Sequence, residues 1–327
     1  MSPGDGKALQ FDYEKSIDSR SGATLHLRVK EAEGAARGIV LVFHGLAEHA
    51  GRYGRFASEL AARGFHVLAH DHRGHGSTVA PDAPLRRFAT SGGAEKVLRD
   101  CHAVHLFALE RFGRLPVVVF GHSLGGTIAL NYGERYGRDL AGLCVWNADV
   151  SHGLERRLGR LALKAEKALK GSDVGSDLSR RAMFDAWGKS ISPRRTGFDW
   201  LSHDEAVVDA YVGDPLCGFV PTVSMMEDIA RLVFEGGSKA GLSLIPHGLP
   251  IHLLGGSEDP ATRGGRAIGE LAEALHALDC DRVESLVVEG ARHETLLETE
   301  VYRRPAMESL FAFLDRTLAL AARPAEA

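Results

Sequence analysis

A serine flanked by glycines, an aspartate and a histidine, each just past an apolar run, are the residues here whose types and spacing could do chemistry. Gly121-His122-Ser123-Leu124-Gly125 follows the β-branched stretch Leu115-Pro116-Val117-Val118-Val119-Phe120 and precedes Gly126-Thr127-Ile128-Ala129-Leu130-Asn131-Tyr132, which reads as a helix. A strand, then G-x-S-x-G, then a helix is the context of a nucleophile elbow, a turn so tight that the serine backbone is strained and glycine is needed two residues away on each side. The strain lifts the Ser123 hydroxyl off the sheet edge, at the positive end of the helix that follows. A serine hydroxyl needs a base, and the base an orienting acid. Pro250-Ile251-His252-Leu253-Leu254-Gly255-Gly256 is a second buried-strand pattern, ending in Ser257-Glu258-Asp259-Pro260. Val283-Glu284-Ser285-Leu286-Val287-Val288-Glu289-Gly290 is a third, ending in Ala291-Arg292-His293-Glu294. Asp259 and His293 therefore stand beyond the carboxyl ends of strands, the edge at which open α/β sheets bind ligands. The chemistry would be acyl transfer to water: Ser123 attacks an ester carbonyl, His293 takes its proton, and Asp259 fixes the imidazole tautomer and stabilises the imidazolium. The backbone N–H of Leu124, the residue after the nucleophile, is one donor for the oxyanion.

Histidines also crowd one strand end, at His66, His70, His72 and His75. His70-Asp71-His72-Arg73-Gly74-His75 comes close to the H-x-H-x-D-H run of metallo-β-lactamase-type hydrolases, but glycine occupies the place of the required aspartate. No metal and no cofactor are expected. His122 reads as a packing and hydrogen-bonding residue of the elbow rather than a second base.

These residues need a scaffold, and the pattern along the chain supplies one. Tyr13 to Ile17 and Thr24 to Val29 read as an antiparallel hairpin at a sheet edge, around the turn Asp18-Ser19-Arg20-Ser21-Gly22. Strands and helices then alternate: strand Gly38 to Phe43, helix Tyr53 to Arg63, strand His66 to Ala69, helix Ala94 to Phe112. Such alternation predicts a mostly parallel sheet covered by helices on both faces. After Asn147 the strand rhythm stops, and it resumes at Pro250. The interval carries helical patterns and scattered aromatics (Phe184, Trp187, Phe198, Trp200, Phe219) and reads as an inserted helical cap. The expected division is a core over residues 1–147, the cap over 148–245 and the rest of the core over 246–327.

The chain has 327 residues, 44% hydrophobic and 25% charged, as in an ordinary globular protein. A net charge of −4 gives no support for nucleic-acid binding. Met1 to Lys15 has charged residues and no apolar segment, so no signal peptide is expected there. No stretch of about 18 apolar residues occurs to span a membrane. The four cysteines, Cys101, Cys144, Cys217 and Cys280, are scattered and read as free thiols of a reducing cytoplasm.

Several segments together resemble one family. Phe43-His44-Gly45-Leu46-Ala47-Glu48-His49-Ala50-Gly51-Arg52-Tyr53 is similar to the H-G-x-x-E-H-x-x-R-Y segment of monoacylglycerol lipases and bacterial lysophospholipases of the α/β-hydrolase fold. Asp71-His72-Arg73-Gly74-His75-Gly76-Ser77 resembles their D-H-x-G-H-G-x-S loop, Gly121 to Gly126 their G-H-S-x-G-G, and Asp214-Pro215-Leu216 their D-P-L. Gly255 to Asp259 and Gly290 to Glu294 are similar to their acid and histidine loops. The resemblance spans roughly residues 10 to 315, and six motifs in order are far more specific than one. It implies Ser123 as nucleophile, His293 as base, Asp259 as acid, and Leu46 as the second backbone oxyanion donor. It also implies a structural role for the histidine-rich loop. The chain departs from the family at Trp146-Asn147-Ala148-Asp149, where relatives usually carry Ser-Pro. Asp149 is thereby a rival acid, since some α/β-hydrolases draw the carboxylate from this earlier strand end, but the Asp259 loop matches the pattern in full.

The expected function is hydrolysis of the acyl ester of a single-chain lipid, a monoacylglycerol or lysophospholipid, with a small lipid or ester as partner. The alternatives are a small-molecule carboxylesterase on the same scaffold and a non-catalytic hydrolase-fold receptor, which would typically have lost a triad member. Leu154, Leu158, Leu161, Ala165 and Leu169 recur at helical spacing beside Arg156, Arg157, Arg160, Lys164, Lys167 and Lys170. Such a helix either lies on an anionic membrane surface or packs its leucines on the core and leaves its basic face to water. A cytoplasmic protein with peripheral membrane contact through the cap is the corresponding expectation.

Overall fold

The structure, a computed structural model, describes residues 10–151 and 153–322, without the side chains of residues 154–157. The side chains of Leu154, Arg156 and Arg157, and the chain start up to residue 9, thus lie outside the described residues.

Eight strands form one sheet: β1 (Tyr13–Asp18), β2 (Thr24–Lys30), β3 (Gly38–Phe43), β4 (Phe65–His70), β5 (Val117–His122), β6 (Gly142–Trp146), β7 (Ile251–Gly256) and β8 (Val283–Val288). Their spatial order is β1-β2-β4-β3-β5-β6-β7-β8. β1 pairs antiparallel with β2, and β2 with β4; every other pairing is parallel. Along β3 and β5 every residue is buried, because helices cover both faces and a parallel strand has no solvent side. Alternate residues enter opposite cores. Leu41 and Val119 join Val104, Ile128 and Leu275 on one face, whereas Val40, Val118 and Phe120 join Phe56, Leu60 and Phe313 on the other. The helices concerned are α1 (Gly54–Ala61), α2 (Gly93–Phe112), α3 (Leu124–Tyr136) and, beyond β7, α10 (Arg266–His276) and α11 (Glu300–Ala321).

Between β6 and β7 the chain is helical: α4 (Leu154–Lys170), α5 (Asp177–Ser179), a π-helical turn (Arg180–Asp185), α6 (Ala186–Ser190), α7 (Glu205–Gly213), α8 (Val223–Gly236) and α9 (Lys239–Leu242). Of the two expectations for the α4 leucines, packing on the core is not what the structure shows. Leu158, Leu161 and Leu169 are 56%, 62% and 85% exposed. The inward face carries Leu163 and Glu166 instead, with the Glu166 carboxylate held by the Ser176 hydroxyl and the Leu178 N–H. Helical spacing specifies which residues share a face; the partners of Glu166 decide which face turns in. Among the described residues no helix is long and apolar enough to cross a membrane.

Candidate active site

Ser123 sits between β5 and α3 with φ +55° and ψ −117°, a conformation few L-residues adopt. The flanking glycines are there for space. A Cβ on Gly121 would overlap the Gly125 carbonyl, and one on Gly125 would overlap the carbonyls of Phe43 and His44. The turn is pinned to the neighbouring strand by the Ser123 N–H, which donates to Trp146 O at 2.8 Å.

His293 Nε2 lies 2.9 Å from Ser123 Oγ, and His293 Nδ1 lies 2.9 Å from Asp259 Oδ1. The three side chains come from the ends of β5, β7 and β8. Asp259 is fully buried. Burial pushes its carboxyl up, but His293 and the donors Asn147 and Thr262 outweigh this and hold it below the usual carboxylate range. An ionised carboxylate accepts only, so His293 Nδ1 is the donor of that pair and Nε2 is left to receive the serine proton. Asp149 borders the same recess as Ser123, with other partners: its Oδ1 accepts from the Ser151 N–H, and its Oδ2 lies 3.3 Å from Arg263 Nε.

Facing the serine is the loop after β3. The Gly45 N–H is bonded to Glu48, and Ala47 takes φ +57°. Its carbonyl accepts from the Gly218 N–H and the Tyr211 hydroxyl, both at 2.9 Å. Asp214 of the D-P-L segment joins the same scaffold through His49 Nε2 at 2.8 Å. Among the described residues neither the Leu46 nor the Leu124 N–H has an acceptor in the protein. Leu124 opens α3, where the first N–H groups have no helical partner. Both residues border the same recess as Ser123.

Behind this loop runs a buried ionic network that the sequence reading missed. Glu48 accepts from the Tyr53 hydroxyl at 2.8 Å and from Arg52 Nη1 at 2.7 Å. Arg52 also grips both oxygens of Glu294, the residue after His293. His122 Nε2 lies 3.0 Å from the carbonyl of His293, so that nitrogen is the donor, while Nδ1 is 3.6 Å from Glu48. Burial opposes charge on His122, yet Glu48 and Glu294 raise its pKa above that of an ordinary histidine. Burial likewise pushes Glu48 up, but Arg52 and His122 hold it well below the carboxylate range. The oxyanion loop and the histidine loop are thereby fastened to one arginine. Glu48 and Arg52 lie inside the H-G-x-x-E-H-x-x-R-Y segment, which was the signal available for them.

The histidine-rich loop follows β4 and packs against the loop after β3, the His72 N–H donating to His44 Nε2 at 2.9 Å. Asp71 accepts from Arg28, Ala50 N and Ser77 N, and fully buried Arg73 pairs with Asp100 at 2.7 Å. His44, His70, His72 and His75 pack ring against ring, whereas His66 stands apart, stacked on Phe112. Burial holds the pKa of His70 and of His75 down at about 3.

A cavity of about 410 Å³ opens above Ser123, with Leu163, Met183, Phe184, Met226, Val233 and Phe234 among its walls. Trp200 covers the catalytic-side imidazole, its ring centroid 4.9 Å from that of His293. The carbonyls of Trp200 and Leu201 accept the N–H groups of His293 and Glu294. The helical segment and the histidine loop are thus joined by main-chain bonds. A hydroxyl beside an imidazole, backbone donors and a mostly apolar recess can together carry out acyl transfer on an ester.

Residues 34–300 match the family described as serine aminopeptidase, S33 (Hydrolase_4). A monoacylglycerol lipase of Mycolicibacterium smegmatis is 32% identical over 182 residues, covering 55% of this chain and 56% of that protein. A monoglyceride lipase homolog of Monkeypox virus is 31% identical over 275 residues, covering 84% of this chain and 88% of its own length. The human monoglyceride lipase is matched over only 42% of its length, so the chain spans about half of several curated relatives. Among solved structures, a thermostable carboxyl esterase from Bacillus coagulans superposes with a TM-score of 0.82 at 25% identity, covering 95% of this chain and 99% of that one. A soluble variant of monoglyceride lipase from Saccharomyces cerevisiae shares the fold with a TM-score of 0.73 at 19% identity, covering 97% and 99%.

Proposed function

Because the chain belongs to the serine aminopeptidase S33 family of α/β-hydrolases, serine hydrolases by descent, we propose that it cleaves the acyl ester of a single-chain lipid, a monoacylglycerol or lysophospholipid. The observation that carries this reading is Ser123 Oγ, 2.9 Å from His293 Nε2, at the floor of an apolar cavity of about 410 Å³. Ser123 attacks the ester carbonyl as His293 takes its proton. The oxyanion is held by the N–H groups of Leu46 and Leu124, and Asp259 stabilises the imidazolium. The imidazolium then protonates the departing alcohol, and water repeats the sequence on the acyl-enzyme. The helical segment acts as a cap that buries the acyl chain, and each methylene it takes from water contributes about 0.8 kcal/mol.

The exposed leucines of α4 support a docking role for that cap at a lipid surface. Of the basic residues beside them, Lys167 and Lys170 are paired with Glu227 and Asp177, so the leucines carry more of this argument than the charges. The likeness to the carboxyl esterase keeps small soluble esters as the second reading.

A fluorophosphonate probe should label the wild type and not Ser123→Ala, since only an activated serine reacts. A panel of monoacylglycerols, lysophospholipids, graded p-nitrophenyl esters and an aminoacyl p-nitroanilide then ranks substrates by kcat/KM. Preference for the short esters or the anilide would overturn the lipid reading, and absence of labelling would overturn the enzyme.

A further inference from the structure

The Asp259 carboxylate receives four hydrogen bonds, two on each oxygen. Oδ1 accepts from His293 Nδ1 and the Ala261 N–H, both at 2.9 Å. Oδ2 accepts from the Thr262 hydroxyl at 2.9 Å and from Asn147 Nδ2 at 3.1 Å. Ala261 and Thr262 belong to the aspartate's own turn and can fix the carboxylate only relative to that turn. Asn147 alone among the supporting donors reaches in from another strand. It follows β6 directly, it is buried, and its own N–H bonds to Leu254 O of β7 at 2.7 Å. Its φ is +51°, within the left-handed region that Asn tolerates better than most residues but that still carries strain.

The far side of the Asn147 amide is braced as well. Thr295, two residues beyond His293, places Oγ1 3.2 Å from Asn147 Oδ1 and 3.3 Å from the carbonyl of Arg292. An ionised carboxylate cannot donate, so the amide must present its NH₂ to Asp259 and its oxygen to Thr295. Asn147 thus bridges the β6 end, the acid turn and the histidine loop. It is also the point at which the sequence departs from its family pattern.

We propose that Asn147 is a positioning residue of the triad: its amide sets the orientation of the Asp259 carboxylate toward His293. The role rests on the reading of Ser123, His293 and Asp259 as the triad. Without the amide, Oδ2 keeps one donor from its own turn and the carboxylate can rotate about its bond to Cβ. The imidazolium of the transition state then loses its best-aligned partner, whereas in the bound ground state His293 is neutral and gains little from that partner, although Asn147 also borders the cavity. The loss therefore falls on kcat.

Two variants test this, with a soluble p-nitrophenyl ester as substrate. Asn147→Gly deletes the amide while suiting the positive φ, and kcat should fall about tenfold with KM within about twofold, the loss of one charge-assisted hydrogen bond. Asn147→Asp is nearly isosteric and gives a signature that a merely structural residue would not. Its carboxyl adjoins that of Asp259, and two carboxylates sharing a site do not both ionise readily. While protonated it donates to Oδ2 as the amide does; once ionised it repels. The ratio of variant to wild-type kcat should therefore start near one at low pH and fall, as pH rises to 9, to the level of Asn147→Gly. The titratable and charged groups facing the position are Asp259, His293 and, two residues on, Asp149 with its partner Arg263; all are present in both proteins, so the pH-dependent change in the ratio reports the carboxyl introduced at 147. A ratio constant with pH, or Asn147→Gly at full kcat or impaired only in KM, overturns the proposal. Ser123→Ala run beside them reports on the triad itself, so failure of the underlying reading and failure of the Asn147 role are read separately.

Discussion

Replacing Asp259 by asparagine removes a charge without changing shape, and the surrounding donors fix what the new amide can do. The Ala261 N–H beside Oδ1 is main chain and cannot turn, so the amide must keep its oxygen there. That same oxygen faces His293 Nδ1. On the other side Thr262 can rotate its hydroxyl to accept, and Asn147 can flip, because Thr295 can turn its proton to the Arg292 carbonyl. The imidazole tautomer is therefore retained, and the cost is the lost attraction between carboxylate and imidazolium. For unit charges about 4 Å apart at an effective dielectric near 20 this is about 4 kcal/mol, or close to a thousandfold in rate. Asp259→Asn should lower kcat for a p-nitrophenyl ester by about 10³ and leave KM within a few-fold. Asp149→Asn, at a carboxylate bonded to Arg263 and Ser151, should stay within about tenfold of wild type. Stopped-flow release of p-nitrophenol at saturating ester measures both. Asp259→Asn within tenfold of wild type, or Asp149→Asn as the more severe change, would refute the reasoning and move the acid to the end of β6.

Ser123→Ala and His293→Ala should each abolish turnover to a similar degree, because members of a triad act as a unit; residual turnover in one alone, measured against matched circular dichroism spectra, would break the mechanism. Acid should unfold the protein through its buried histidines. His70 and His75 have folded values of about 3 against an ordinary 6.5, so the unfolded chain binds more protons between those limits; stability is full above about 6.5 and is lost as pH falls toward 3, at about 1.4 kcal/mol per pH unit for each. His122, raised instead, opposes this by adding stability below 6.5. The urea midpoint should accordingly drop from pH 8 to pH 5, and a flat midpoint would contradict the neutral cluster. Changing Leu158, Leu161 and Leu169 together to serine should cut vesicle binding tenfold or more and leave soluble-ester turnover within twofold, by sedimentation and by rate; equal losses on both substrates would place these leucines in the pocket's support.

The elbow was legible because its demands are local: Gly121 and Gly125 are required by atoms within a few residues or on the adjacent strand, and the strand before them is a plain apolar run. Positions at strand ends were legible too, since a parallel sheet aligns its carboxyl edges. What escaped the sequence was pairing across loops. Arg52 reaches Glu294, and Asn147 reaches Asp259 and Thr295, only after β3, β6, β7 and β8 lie side by side. The leucine spacing on α4 marked a stripe and left its direction open between core and outer surface, because direction depended on the burial of Glu166 by Ser176 and Leu178.

The placement of the helical segment between two strands that are neighbours in the sheet has a consequence for biosynthesis. When β6 leaves the ribosome, its partner β7 does not yet exist, and roughly 100 residues must still be translated, about 5 to 20 s at usual elongation rates. Throughout that interval β6, apolar along its whole length, is an open edge displaying unpaired main-chain groups. Closing the loop afterwards is thermodynamically inexpensive, since doubling a loop adds only about 0.6 kcal/mol. The hazard is one of time: nascent chains should be most prone to aggregate, and most dependent on a chaperone, in the window between Trp146 and Ile251. Slowing translation across the insert should lower soluble yield, whereas slowing it after β8 should not.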